Sequence, residues 1–150
     1  MSATMKALVP PSLALTALLL LSGFTPGVQP VELLPEADAC ANCRMSVNKD
    51  RFASELLSRD GDVWKFDEIG CMVTFAKKKN LASPSLKGAF VHDFTSGKWL
   101  SLSEAVLVKS RFPTPMRAGI LAISSETEAR RLHPKYQGRI TTWDALVKEK

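Results

Sequence analysis

The sequence predicts an α+β fold: two similar strand-strand-helix-strand lobes in one small domain. Three observations predict it. Short apolar runs with strand-like alternation are punctuated by turn signals such as Asp60-Gly61 and Gly97. Each half of the chain holds one stretch suited to a helix. The order strand, strand, helix, strand then occurs twice, a pattern that an α+β layer architecture accommodates.

The start of the 150-residue chain stands apart. Lys6 gives a positive end, and residues 13–21 form an apolar run. That run is too short for a dedicated spanning helix, which needs roughly 20 residues. Residues 1–27 therefore read as a secretion signal. Leu21-Ser22-Gly23 matches the approach to a lipoprotein cleavage site, but Phe24 stands where the lipidated cysteine would be, so no lipid anchor is expected. An uncleaved anchor over about residues 7–24 is the alternative to cleavage. Residues 28–37, with Pro30 and Pro35, read as a linker. The domain proper spans 38–150, with lobes over about 38–100 and 101–150, enough for one real core.

Residues 52–57 are an expected strand, Asp60-Gly61 a hairpin turn, and residues 62–66 the returning strand. Asp67 is placed to cap a helix over 68–79, whose Ile69, Met72, Val73 and Ala76 share the core face. Lys77-Lys78-Lys79 suits the solvated C-terminal end of that helix. Residues 89–94 form the next strand, and Gly97 turns the chain before Trp99. In the second half, residues 105–108 and 120–123 are strands. Ser125 and Glu128 have the spacing of a capping box for a helix expected to stop at His133, before Pro134. Residues 138–141 are a last strand, and Asp144 starts a terminal helix.

The formal charge is +5, without a basic stripe interleaved with aromatics, so nucleic acid is not an expected partner. No glycine-rich phosphate loop and no recognisable nucleophile-histidine motif is present, and no catalytic activity is expected. The odd cysteine count, three in the exported part, leaves at least one thiol outside any intramolecular disulfide.

Two of those cysteines lie in Cys40-Ala41-Asn42-Cys43-Arg44-Met45, which puts two thiols and a thioether within six residues. Soft sulfur ligands select Cu(I), whereas Zn(II) takes four donors of nitrogen, sulfur or oxygen. Met116, stiffened by Pro115, is a second thioether; its alternative is core packing. Cys71 stands at the first turn of the expected helix, as a further ligand or as a buried structural thiol. His92 is a strand histidine, as a ligand or as a surface residue. By spacing alone the motif suits a Cu(I) site, half of a zinc site completed by Cys71 and His92, a redox pair, or a plain disulfide.

Four stretches resemble the NosL family, the copper-handling accessory proteins of nitrous oxide reductase. They are Cys40 to Val47; Asp60-Gly61 through Trp64, Phe66 and Asp67 to Cys71-Met72; Val91-His92-Asp93-Phe94-Thr95 with Trp99; and Thr114-Pro115-Met116 with the strand and helix that follow. The resemblance implies two strand-strand-helix-strand lobes and export to the periplasm. It implies binding of one Cu(I), carried over onto Cys40, Cys43, Met45 and Met116. It also implies a metallochaperone that delivers copper to nitrous oxide reductase in concert with a membrane ABC-type complex. Some members carry a histidine two residues after the second methionine; Ala118 stands there, so sulfur or His92 would complete the site. The alternatives are a thiol-disulfide reductant of a cuproenzyme's copper-site cysteines and a structural zinc module.

Overall fold

A computed structural model describes residues 27–35, 37–48, 51–81 and 85–149; Phe24 and nearly all of the expected secretion signal lie outside the described residues. β1 (Ser54–Ser58) and β2 (Val63–Phe66) form the hairpin that Asp60-Gly61 signals. Gly61 turns with φ +99°, which glycine adopts without a Cβ clash. α1 (Ile69–Lys79), β3 (Leu86–His92) and β4 (Trp99–Ser101) complete the first lobe. The second comprises β5 (Val106–Lys109), β6 (Ile120–Ile123), α2 (Glu126–Tyr136), β7 (Arg139–Thr141) and α3 (Trp143–Lys148).

The lobes share a topology. One antiparallel sheet runs β2-β1-β3-β4 and the other β6-β5-β7. In each, the lobe's first strand is central, flanked by its hairpin partner and by the strand after the helix. β4 and α3 are additions to this plan. Two hydrogen bonds join the lobes: Phe94 N–H donates to Ala122 O at 2.8 Å, and Ser124 N–H donates to the Asp93 side-chain Oδ1 at 3.1 Å.

β6 shows how the lobes share a core. All four of its residues are buried, and successive side chains point to opposite faces. Ile120 and Ala122 join a larger apolar cluster with Phe66, Ile69, Met72 and Leu107. Leu121 and Ile123 join a smaller one with Phe94, Val108 and Ala129. α1 thus covers one face of the strand and α2 the other, which is why Ile-Leu-Ala-Ile is apolar throughout. In α1 the core face is Ile69, Met72, Val73 and Ala76, as their spacing predicts, and Lys77, Lys78 and Lys79 are exposed in the last turn.

Several expectations are corrected. Asp67 does not cap α1; Glu68 occupies the cap position, and no side chain caps the helix there. Ser125 does cap α2, accepting from Glu128 N–H at 3.2 Å, but the helix runs through Pro134 to Tyr136. Tertiary contacts override the proline. The Tyr136 ring lies 4.9 Å from Phe112, and Arg111 N–H donates to Tyr136 O at 3.0 Å. Thr142, not Asp144, starts α3, accepting from Ala145 N–H at 3.2 Å.

The described part of the expected linker is packed on the domain. Leu33 is buried in the larger cluster. Val31 N–H donates to Glu55 Oε1 at 2.8 Å, and Lys65 Nζ donates to Glu32 O at 2.7 Å. Glu55 and Lys65 are register partners on the sheet face opposite Leu56, so the segment straps that face. The prolines shape the strap, and side chains satisfy its backbone groups.

The strap leaves Glu55 fully buried, and Oε2 has no hydrogen-bond partner among the described residues. Burial pushes this carboxyl above the ordinary value of 4.5, against the opposing pull of Val31 N–H and Lys65. A group whose pKa is raised by folding binds protons more readily in the folded chain. Stability from Glu55 therefore falls as pH rises from 4.5 through the folded value. Glu55→Gln is expected to remove this component of the decline. Urea unfolding between about pH 4 and 8 measures it, and identical pH slopes for wild type and variant would contradict it.

Candidate metal centre

The Cys40–Met45 stretch folds into a miniature hairpin. Cys40 N–H donates to Met45 O at 2.7 Å, Arg44 N–H to Cys40 O at 2.9 Å, and Ala39 bridges Ser46. Arg44 makes the turn at φ +68°, a left-handed conformation uncommon outside glycine. Ala41 N–H donates to Lys65 O at 2.9 Å, which ties the hairpin to β2. The buried Val47 and the Asp38–Lys65 ion pair at 2.7 Å hold its base.

β2 leads into Asp67, and the first turn of α1 supplies Cys71. The thiols of Cys40, Cys43 and Cys71 and a carboxylate oxygen of Asp67 lie within 4.8 Å of one another. Cys40, Asp67 and Cys71 are buried, Cys43 is half-buried, and all three thiols are free. Asn42 Nδ2 donates to Cys71 Sγ at 3.5 Å, and Lys78 Nζ donates to Asn42 Oδ1 at 3.1 Å. Both Asp67 oxygens are buried without an N–H or O–H donor among the described residues; thiols face them. A buried carboxylate in this state is unfavourable until a proton or a cation completes it.

The four groups share their protons. The Cys71 thiol donates to Cys40 Sγ and lowers Cys40 to about 4, while burial works in the opposite direction. The same bond, together with burial, pushes Cys71 up. Burial also pushes Cys43 up. Burial, with the Cys40 thiolate beside it, pushes Asp67 up. Thiolate is the form that ligates a metal, and a metal entering this pocket displaces the remaining thiol protons.

The structure thus brings Cys40, Cys43 and Cys71 together. The hairpin's Cys40 is fully buried rather than set at an exposed edge. Met45 and Met116 are exposed, at 55% and 44%. Met116 N–H donates to Glu68 Oε2 at 3.0 Å, which tethers its loop beside Asp67. His92 is not part of the four-residue group; it is buried on β3 opposite Trp99, ring centroids 3.9 Å apart. Met72 belongs to the core. Sequence reasoning missed Asp67 as a site residue. The one signal was its closeness in sequence to Cys71: Asp67 stands two residues before α1, whose first turn carries Cys71.

Among the described residues, no helix is long and apolar enough to cross a membrane. A family model described as NosL matches residues 30–150. No curated protein matches. Among solved structures, the chain is similar to the crystal structure of the copper chaperone NosL from Shewanella denitrificans. The TM-score is 0.70 at 17% identity, over 81% of this chain and 98% of that one. The likeness is one of fold, the same α+β arrangement of two antiparallel sheets with helices.

Proposed function

The chain belongs to the NosL family, and from that premise we propose that it is a periplasmic Cu(I) metallochaperone supplying nitrous oxide reductase. A membrane ABC-type complex is the proposed partner in that delivery. Copper is cargo, and no covalent chemistry is asked of the protein. The observation that carries this reading is the convergence of three free thiols within 4.8 Å, with an exposed methionine on each of two neighbouring loops. Thiolate and thioether sulfur suit Cu(I). Buried thiolates retain the ion, while Met45 and Met116 offer soft donors at the surface, where an acceptor replaces them one at a time by ligand exchange.

Met45→Ala and Met116→Ala are each expected to weaken Cu(I) binding by about tenfold, as measured by anaerobic competition with a chromogenic chelator. Unchanged affinity in both would remove the mixed sulfur site. It would favour a thiol-disulfide reductant, which has no use for either methionine.

One observation favours a second reading. Asp67 puts a hard oxygen among three sulfurs, and such a four-donor set suits tetrahedral Zn(II). A structural zinc centre predicts that the protein as isolated unfolds when a strong chelator strips its metal. A melting temperature unchanged by chelation would exclude it.

A further inference from the structure

The Met116 loop has its own internal frame. Thr114 is buried, its Oγ1 accepts from Gly119 N–H at 2.9 Å, and Thr114 O accepts from Arg117 N–H at 2.9 Å. Ser110 N–H closes the loop by donating to Gly119 O at 2.8 Å. Gly119 turns at φ +67°, and a Cβ there would lie 2.1 Å from Ser110 O. The shape of the loop therefore does not depend on what it rests against.

It rests on the first turn of α1. A Cβ on Gly70 would fall 2.2 Å from Ala118 Cβ and 2.6 Å from Glu68 Oε1, so only glycine allows this approach. Glu68 is 1% exposed. Its Oε2 accepts from Met116 N–H at 3.0 Å, and Oε1 has no partner among the described residues. A helix-cap residue would ordinarily turn its side chain to the helix's own N–H groups. Glu68 instead spends its carboxylate on a loop 48 residues further along the chain.

We propose that Glu68 is a positioning residue for copper handling: it latches the Met116 loop to the start of α1 and so holds Met116 next to the turn that supplies Asp67 and Cys71. Glu68 touches no cargo and acts through Met116. Gly70 serves the same end by leaving room for Ala118. This inference rests on the reading of Met116 as a copper ligand.

The test is anaerobic Cu(I) competition on the full chain, for wild type, Met116→Ala, Glu68→Ala, Glu68→Gln and the Met116→Ala/Glu68→Ala double variant. Glu68→Ala is expected to weaken binding by about tenfold, the scale of a lost hydrogen bond to a charged group. The double variant should bind no more weakly than Met116→Ala alone, because the latch has nothing left to position. Glu68→Gln keeps an acceptor for Met116 N–H and should restore most of the affinity. A purely structural glutamate would give additive losses instead. Gly70→Ala, whose added methyl crowds both Ala118 and Glu68 Oε1 while leaving the carboxylate in the chain, should reproduce the weakening and decides the matter if Glu68→Ala does not fold. Wild-type affinity in Glu68→Ala, or in Gly70→Ala where Glu68→Ala does not fold, or full additivity in the double variant, overturns the latch while Met116→Ala still shows its loss. If Met116→Ala itself binds like wild type, the copper-ligand premise fails and takes the latch with it.

Discussion

Serine at both Cys40 and Cys43 is expected to lower Cu(I) affinity by more than about a hundredfold, beyond the loss from disturbing a ligand's supporting contacts. The two thiols sit on one hairpin and converge on Cys71 and Asp67 within 4.8 Å. Their loss leaves one thiol and one carboxylate, and a hydroxyl is a hard, protonated donor that does not replace a thiolate for Cu(I). Cys40 is fully buried, so the substitution also replaces the sulfur that accepts from Cys71 by a smaller hydroxyl, at about 1–3 kcal/mol of stability. Circular dichroism of the metal-free variant separates that effect from ligand loss. A folded double variant binding within about threefold of wild type would show that these thiols are not the site.

Phe66→Ala is expected to be the most destabilising of the proposed substitutions, by about 3–5 kcal/mol, with a melting temperature lower by roughly 10–20 °C. Phe66 is fully buried, its ring 5.3 Å from that of Phe75 on α1, and it closes β2 immediately before Asp67. The cavity would open between sheet and helix, under the turn that supplies Asp67 and Cys71. Metal-free thiols should then react faster with a thiol reagent, Cys71 included. Val63→Ala, on the same strand but 39% exposed, is the control and should cost less than about 0.5 kcal/mol. Denaturant unfolding measures both, and a Phe66→Ala loss below about 1 kcal/mol would contradict the packing described.

How much of this was legible in the sequence depended on how local the signal was. Asp60-Gly61 and the flanking alternation sufficed for the first hairpin, because a two-strand turn is set by adjacent residues. The repeat of strand, strand, helix, strand was legible for the same reason and appears as two sheets of matching order. Pro134 misled, because the aromatic contacts of Tyr136 that keep α2 going come from residues far along the chain. Pro30 and Pro35 suggested a linker, and nothing local revealed that Leu33 has a place in the core. In the site, the paired cysteines were legible as sulfur donors. Cys71 was ambiguous, since a buried cysteine looks the same whether it packs or ligates. Asp67 was hidden by a sound rule: an aspartate before a helix usually caps it, and here its carboxylate faces three thiols instead. His92, attractive as a ligand by type, packs its ring against Trp99 at a tilt of 45°.

As a proposed metallochaperone, this chain must hold Cu(I) through its sulfur groups. The most direct test is an anaerobic titration of the reduced full chain with Cu(I) against a competing chromogenic chelator. One tightly held copper per chain is expected, in a form that outcompetes the chelator until one equivalent has been added. Copper that stays with the chelator from the first addition would contradict it.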